Sequence, residues 1–218
     1  MKVLLFGASG MVGQGVLREC LGDPDVDEVL AVGRGALGLS HAKLREAPCP
    51  DLFDLAQLEP ELARFDACFF CIGVSAGGMK EQDYSRLTYD LTLSVARRLA
   101  RVHPGMAFTY VSGAGTDSTA RGRTMWARVK GRTENDLLAL PLRASMFRPA
   151  IIVPMHGERS KTPAYRLFYA LAAPLLPVLR RTLPRYVTTT EHVGRAMLAV
   201  ARSPAPPMRL ENADINRY

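Results

Sequence analysis

The sequence predicts an α/β domain with its strands in one doubly wound parallel sheet. Three observations carry this. The chain opens on an apolar strand, Val3-Leu-Leu-Phe6, that runs into glycines at 7, 10 and 13 and then into a helical pattern. Short apolar runs alternate with 3.6-period segments as far as residue 150. Several of those runs end in small-residue loops, at Gly33–Gly35, Gly73–Gly78 and Ser112–Gly115. In a doubly wound sheet such loops gather at the carboxyl ends of the strands, where ligands bind.

The first strand, over residues 2–6, is followed by a helix with Val12, Val16, Cys20 and Gly13, Leu17, Leu21 on one stripe, ended by Gly22-Asp-Pro24. Gly7 suits a tight turn, Gly10 a close approach of backbone to a pyrophosphate, and Gly13 close helix–strand packing. Together they predict a dinucleotide turn of spacing G-x-x-G-x-x-G, with free N–H groups at the helix start. The second strand, 28–32, runs into Gly33-Arg34-Gly35. At that junction an acidic residue would bind the ribose hydroxyl of NAD, whereas an arginine suits the 2′-phosphate of NADP. Arg34 stands there, so NADP(H) is favoured over NAD(H).

A weak third strand over 42–47 and a short helix over 57–64 precede the fourth strand, 66–72, which is apolar on both faces. A long helix is predicted from Glu81 to Val102, with Tyr84, Leu87, Leu91, Val95 and Leu99 on its apolar side. The fifth strand, 106–111, delivers Ser112 at its carboxyl end. A helix over 124–139 and a sixth strand over 144–147 lead into Arg148-Pro149-Ala150, and the crevice is expected to include a loop at 149–156. Residues 165–181 suggest one or two helices broken by prolines. Thr188–His192 suggests a cap for a helix over 191–202, and Met208–Glu211 a final edge strand. One domain is expected over residues 1–218, with 151–187 and 203–218 as variable segments.

With 218 residues, 48% of them hydrophobic and 22% charged, the chain suits one globular domain with a sizeable core. The formal charge of +7 favours anionic ligands, phosphates included. The densest basic stretch, Arg121 to Arg132, is short and has one aromatic, Trp126, which predicts a solvated helix face rather than a nucleic-acid surface. Cys68 and Cys71 resemble a redox pair, but three residues apart in a strand they face opposite sides. They are read, with Cys20 and Cys49, as core thiols of a reducing compartment. The histidines lack metal-ligand spacing, so no metal is expected. The apolar start is too short for a signal peptide, and a cytoplasmic location follows as an expectation. Leu167–Leu179 is too short to span a bilayer and is read as a lid or dimer contact over the crevice, rather than a segment lying on an anionic membrane surface.

Several motifs occur in order: Gly7-Ala-Ser-Gly10-Met-Val-Gly13, Gly33-Arg34, Ser112, Lys130 and Phe147-Arg-Pro149-Ala150. This set resembles the short-chain dehydrogenase/reductase superfamily in its atypical branch, in the manner of Tat-interacting-protein-like members and bacterial epimerase-like proteins. The resemblance implies that Gly7, Ser9, Gly10, Met11, Val12 and Gly13 surround the pyrophosphate and ribose. It puts Arg34 at the 2′-phosphate, Asp51 and Leu52 beside the adenine, and Cys71, Ile72 and Gly73 where the family has Asn-Ala-Gly. Ser112 would be the catalytic-site hydroxyl, Lys130 would hold the nicotinamide ribose, and Pro149 and Ala150 would border the nicotinamide.

The family's Tyr-x-x-x-Lys pair is altered here to Trp126-Ala-Arg-Val-Lys130. Spacing of four keeps both side chains on one helix face. An indole N–H donates a hydrogen bond but does not serve as an acid or base. Two functions therefore stand side by side: an NADP(H)-dependent oxidoreductase acting on a small carbonyl, flavin-like or quinone-like acceptor without the usual tyrosine, or a non-catalytic NADP(H)-binding sensor. The expected partner is a small-molecule substrate. The sequence leaves its identity, and pairing as a homodimer, open.

Overall fold

A computed structural model describes residues 1–158 and 182–218. The segments read as proline-broken helices, 165–181, and as a lid, 167–179, lie outside the described residues. β1 (Lys2–Phe6) turns at Gly7 into α1 (Met11–Gly22). β2 (Glu28–Gly33) and β3 (Leu44–Pro48) follow, then a 3₁₀ turn at Ala56–Leu58 that passes into α2 (Glu59–Leu62). β4 (Ala67–Phe70) leads to α3 (Glu81–Ser85), a π-helical turn (Arg86–Asp90) and α4 (Leu91–Val102). β5 (Ala107–Val111), α5 (Met125–Leu138) and β6 (Arg143–Arg148) complete the regular alternation. The remaining elements are β7 (Ile151–Val153), β8 (Val187–Thr189), α6 (Thr190–Arg202), β9 (Arg209–Glu211) and α7 (Asn212–Ile215).

Seven strands form one sheet in the order β3-β2-β1-β4-β5-β6-β9, every neighbouring pair parallel. The order reverses between β1 and β4. A crevice opens there at the carboxyl ends of the strands, because the connections leave those two strands in opposite directions. The central strands are buried on both faces. Val3, Leu5 and Phe69 pack against Val16 and Leu17 of α1 and Met197 of α6. Leu4, Phe70 and Phe108 pack on the other side against Leu99 of α4 and Leu137 of α5. The Phe6, Phe70 and Phe108 rings stack across three strands with centroids 5.7 and 6.1 Å apart, each pair contributing ~1 kcal/mol beyond its buried area. Cys68 and Cys71 fall on opposite sides of this sheet, as their spacing requires.

Three local expectations are corrected. The helix from Glu81 to Val102 is continuous, but its π-helical turn adds a residue to the winding. Leu87, placed by periodicity on the apolar side, is therefore turned outward, and Thr88 takes the buried position between Tyr84 and Leu91. The stretch 149–156, expected as a loop, contains β7, which pairs in parallel with β8 to form a second small sheet. The helix expected over 57–64 is reduced to the four residues of α2 after its 3₁₀ turn. The cap of α6 is as the sequence suggests: the Thr189 hydroxyl accepts from the His192 N–H at 3.0 Å.

Candidate functional site

Gly7 has φ +86°, and a Cβ there would lie 2.7 Å from the carbonyl carbon of Cys71 and 2.8 Å from the nitrogen of Ile72. The turn after β1 thus crosses the end of β4 with no room for a side chain. A Cβ on Gly13 would lie 2.1 Å from the Gly7 carbonyl oxygen, so α1 packs directly on the turn. Gly10 opens α1 with its N–H donated to the Gly7 carbonyl at 2.9 Å, and Gln14 reaches back to the Ser9 carbonyl at 3.0 Å. No side chain caps this helix start. The N–H groups of Met11, Val12 and Gly13 precede the first intrahelical bond, Gln14 to Gly10, and so are the helix's free donors. A bare backbone turn with such donors fits the pyrophosphate of a dinucleotide.

A cleft runs from this turn to β2 and β3, lined by Gly7, Ser9, Gly33, Gly35, Leu37 and Glu46. Arg34 is exposed between two of these residues. No acidic residue stands at the end of β2, but Glu46 reaches the cleft from β3 and accepts the Leu37 N–H at 2.7 Å. Asp51 and Leu52 occupy the loop after β3. The Asp51 carboxylate accepts the Phe53 N–H at 2.9 Å, and Leu52 packs against the core under β4.

On the other side of the turn, Cys71 donates its N–H to the Phe6 carbonyl at 2.9 Å, which places Cys71 and Ile72 against Gly7. Gly73 is exposed. Burial pushes the Cys71 thiol up to about 12, so it is no thiolate nucleophile near neutrality. The loops after β5 and β6 are stapled together: the Ser112 N–H donates to the Phe147 carbonyl and the Ala114 N–H to the Pro149 carbonyl, both at 2.8 Å. Ala150 donates to the Asn212 side chain at 2.9 Å.

Trp126 and Lys130 project from one face of α5. The Trp126 ring lies beside Gly115, 3.5 Å from where a Cβ would be. The Lys130 ammonium donates to the Ser112 carbonyl oxygen and sits 6.0 Å from the Tyr110 ring centre. Burial lowers its pKa from 10.5 to about 8, with the Glu134 charge pulling the other way. A Cβ on Gly131 would lie 1.7 Å from the Asp117 carbonyl oxygen, so α5 rests directly on the loop that follows Ser112.

The Ser112 hydroxyl is engaged inside the protein, with the Glu134 carboxylate at 2.6 Å and the Phe147 carbonyl at 3.0 Å as its acceptors. Glu134 is fully buried. It accepts from Arg148 twice, Nε at 2.9 Å and Nη2 at 2.5 Å. Arg148 also donates to the Ser118 hydroxyl at 2.6 Å and to Glu211 at 3.1 Å. The sequence reading missed this network. The signal was there in Lys130 and Glu134 at helical spacing and in an arginine at the end of a buried strand.

Among the described tyrosines, none takes the place that Trp126 fills. Tyr84 and Tyr110 are fully buried, and burial raises the Tyr110 phenol far out of the physiological range. Tyr89 donates to Asp136 beneath the Arg132 guanidinium, on the outer side of α5.

No family model matches the chain. It is 27% identical over 178 residues to the protein fmp52, mitochondrial, of Emericella nidulans, covering 78% of this chain and 74% of that one. It is 27% identical over 155 residues to the protein HTATIP2 of Rattus norvegicus, covering 70% of this chain and 63% of that one, less than two thirds of the rat protein. Among solved structures, the Bordetella bronchiseptica enzyme WbmF in complex with NAD+ superposes with a TM-score of 0.70 at 16% identity, over 99% of this chain and 76% of that one. The yeast methylglyoxal/isovaleraldehyde reductase Gre2, complexed with NADPH, gives a TM-score of 0.65 at 12% identity over 97% and 77%. Within the described residues, no helix is long and apolar enough to cross a membrane. By its sheet order and its glycine turn the chain has the doubly wound dinucleotide-binding fold of these solved structures, and in sequence it is similar to fmp52 and HTATIP2.

Proposed function

We propose that the protein is an NADP(H)-dependent oxidoreductase acting on a small, planar acceptor of the carbonyl, flavin or quinone type. The single observation that carries this is the pairing of an intact glycine turn with Trp126 in place of the phenol, beside a lysine still held at the end of β5. When bound, the dinucleotide supplies a hydride. The α1 N–H groups hold its pyrophosphate, Arg34 its 2′-phosphate, and Asp51 and Leu52 flank its adenine. Lys130 holds the nicotinamide ribose from the Ser112 carbonyl, with Cys71, Ile72, Gly73, Pro149 and Ala150 as walls. The Trp126 face excludes water and stacks an acceptor ring. The Ser112 hydroxyl would exchange its internal acceptors for a substrate oxygen. A flavin or quinone takes its proton from water, so the missing phenol is tolerated there in a way that an aliphatic ketone does not allow. The solved relatives with NAD+ and NADPH support a nicotinamide cofactor.

The test is NADPH binding by fluorescence, followed by NADPH consumption against flavins, quinones and aldehydes. Turnover with planar acceptors is expected; binding without turnover on any acceptor overturns it and favours the second function, a non-catalytic NADP(H) sensor. The Trp126 substitution itself favours that second function. Affinities for NADPH and NADP+ that differ strongly would support it. A cytoplasmic location is part of the proposal, although the fungal relatives carry a mitochondrial label.

A further inference from the structure

We propose that Glu46 sets the dinucleotide preference of the cleft by holding the Arg34 loop in place. This rests on the NADP(H) function above. Residues 33–37 read Gly-Arg-Gly-Ala-Leu, and the two glycines around Arg34 leave the segment wide backbone freedom unless it is anchored. It has two anchors, both supplied by β3 and the residue after it. The Cys49 N–H donates to the Gly33 carbonyl at 2.7 Å, and the Leu37 N–H donates to Glu46 Oε2 at 2.7 Å. The register Ala31↔Glu46 and Gly33↔Pro48 puts these anchors beside the end of β2.

Glu46 lies on the same strand face as Leu44, and both Leu44 and Leu37 pack against the core under α1. The loop is therefore folded over that face, with its backbone bond to Glu46 and its leucine in the core. Arg34 lies between the anchors, exposed, and makes no hydrogen bond or ion pair among the described residues. A guanidinium on a fixed stem meets a phosphate at less entropic cost than one on a free loop. The geometry makes Glu46 a positioning residue, acting on the cofactor through Leu37 and Arg34. Its carboxylate lines the cleft with one oxygen engaged by the Leu37 N–H, so the same group that anchors the loop also faces the cofactor side.

The experiment measures equilibrium binding of NADPH and NADH to the full chain and to four variants. Glu46→Gln keeps the acceptor and removes the charge. Glu46→Asp keeps the charge on a stem one methylene shorter. Glu46→Ala removes both, and Arg34→Ala removes the guanidinium. In Glu46→Ala and Glu46→Asp the NADPH affinity is expected to fall about tenfold with NADH unchanged, the size of one lost charge-assisted contact. Glu46→Gln keeps the wild-type ratio, and Glu46→Ala adds nothing to Arg34→Ala. If Glu46→Ala fails to fold, Glu46→Asp carries the test, with thermal melting as the check on both. An unchanged ratio in Glu46→Ala and Glu46→Asp overturns the proposal alone. So does tighter NADPH binding by Glu46→Gln, which would make the charge a repeller, or a selective loss of NADH, which would make it a ribose ligand. A wild-type protein with no preference for NADPH overturns the Arg34 assignment, and this proposal with it.

Discussion

One oxygen of the Glu134 carboxylate takes both the Ser112 hydroxyl, at 2.6 Å, and the Arg148 Nε, at 2.9 Å. The carboxylate has no exposure to solvent, and the Arg148 side chain has little. Two elements that meet at the site, α5 and β6, are tied here under the loop after β5. Breaking a buried pair on one side leaves an uncompensated charge. Glu134→Ala is expected to lose about 3 kcal/mol or more of unfolding free energy, read from urea denaturation. Glu134→Gln keeps an acceptor for Ser112 and is expected to lose less.

The glycines that bring elements into contact are steric requirements, and they differ sharply from those that are not. Gly131→Ala forces a Cβ to within 1.7 Å of the Asp117 carbonyl oxygen, so α5 must lift from the loop that follows Ser112. It is expected to cost about 3 kcal/mol, at the upper end of overpacking effects, and to weaken cofactor binding through the displaced Lys130. Gly22→Ala, at the end of α1 with nothing within 4 Å, is the control and is expected to be tolerated. Thermal melts and NADPH titrations of the two variants decide this.

Trp126→Tyr places a phenol four residues before Lys130 on the same helix face. The neighbouring ammonium favours the phenolate, so the variant gains an acid–base group. Carbonyl reduction is expected to rise at least about a hundredfold over the wild-type rate on the same ketone, the lower range for a positioned acid. Trp126→Ala removes the stacking face and is expected to raise KM for flavins about fivefold. Steady-state kinetics on a ketone and a flavin separate the two effects.

Lys130 gives the site a pH signature. Folding lowers its pKa from 10.5 to about 8, so between those values the folded chain holds fewer protons than the unfolded one. Stability therefore rises with pH across that window, and the penalty for burying the ammonium, about 3 kcal/mol, is present in full below pH 8. The stability difference between wild type and Lys130→Met is expected to shift in favour of wild type from pH 8 to pH 10. NADPH affinity moves the other way, weakening above about pH 8 as the ammonium is lost. Lys130→Arg stays charged and is expected to bind NADPH with no such loss between pH 7 and 9.

Much of the fold could be read along the chain because its determinants are local. A short apolar run such as Val3–Phe6, bounded by a glycine turn, reads as a strand buried on both faces, and Gly7, Gly10 and Gly13 mark where the chain turns and packs closely. Thr189 caps α6 for the same reason. The sequence was least informative where register or a distant partner decides. A π-helical turn moves Leu87 from the buried face to the surface, and β7 exists because Val187–Thr189, far along the chain, offers it an edge.

The sequence by itself determined the doubly wound sheet, the glycine turn, Arg34 at the end of β2, and the tryptophan that stands four residues before Lys130. Each follows from residue type and spacing alone. Only the tertiary structure decided where the polar groups spend their bonds. Ser112 points its hydroxyl at a buried carboxylate, Lys130 is neutralised more easily because α5 presses it against β5, and Glu46 reaches over to hold the loop of Arg34. Hydrogen-bond partners and burial depend on residues brought together from different elements, and spacing along one element does not encode them.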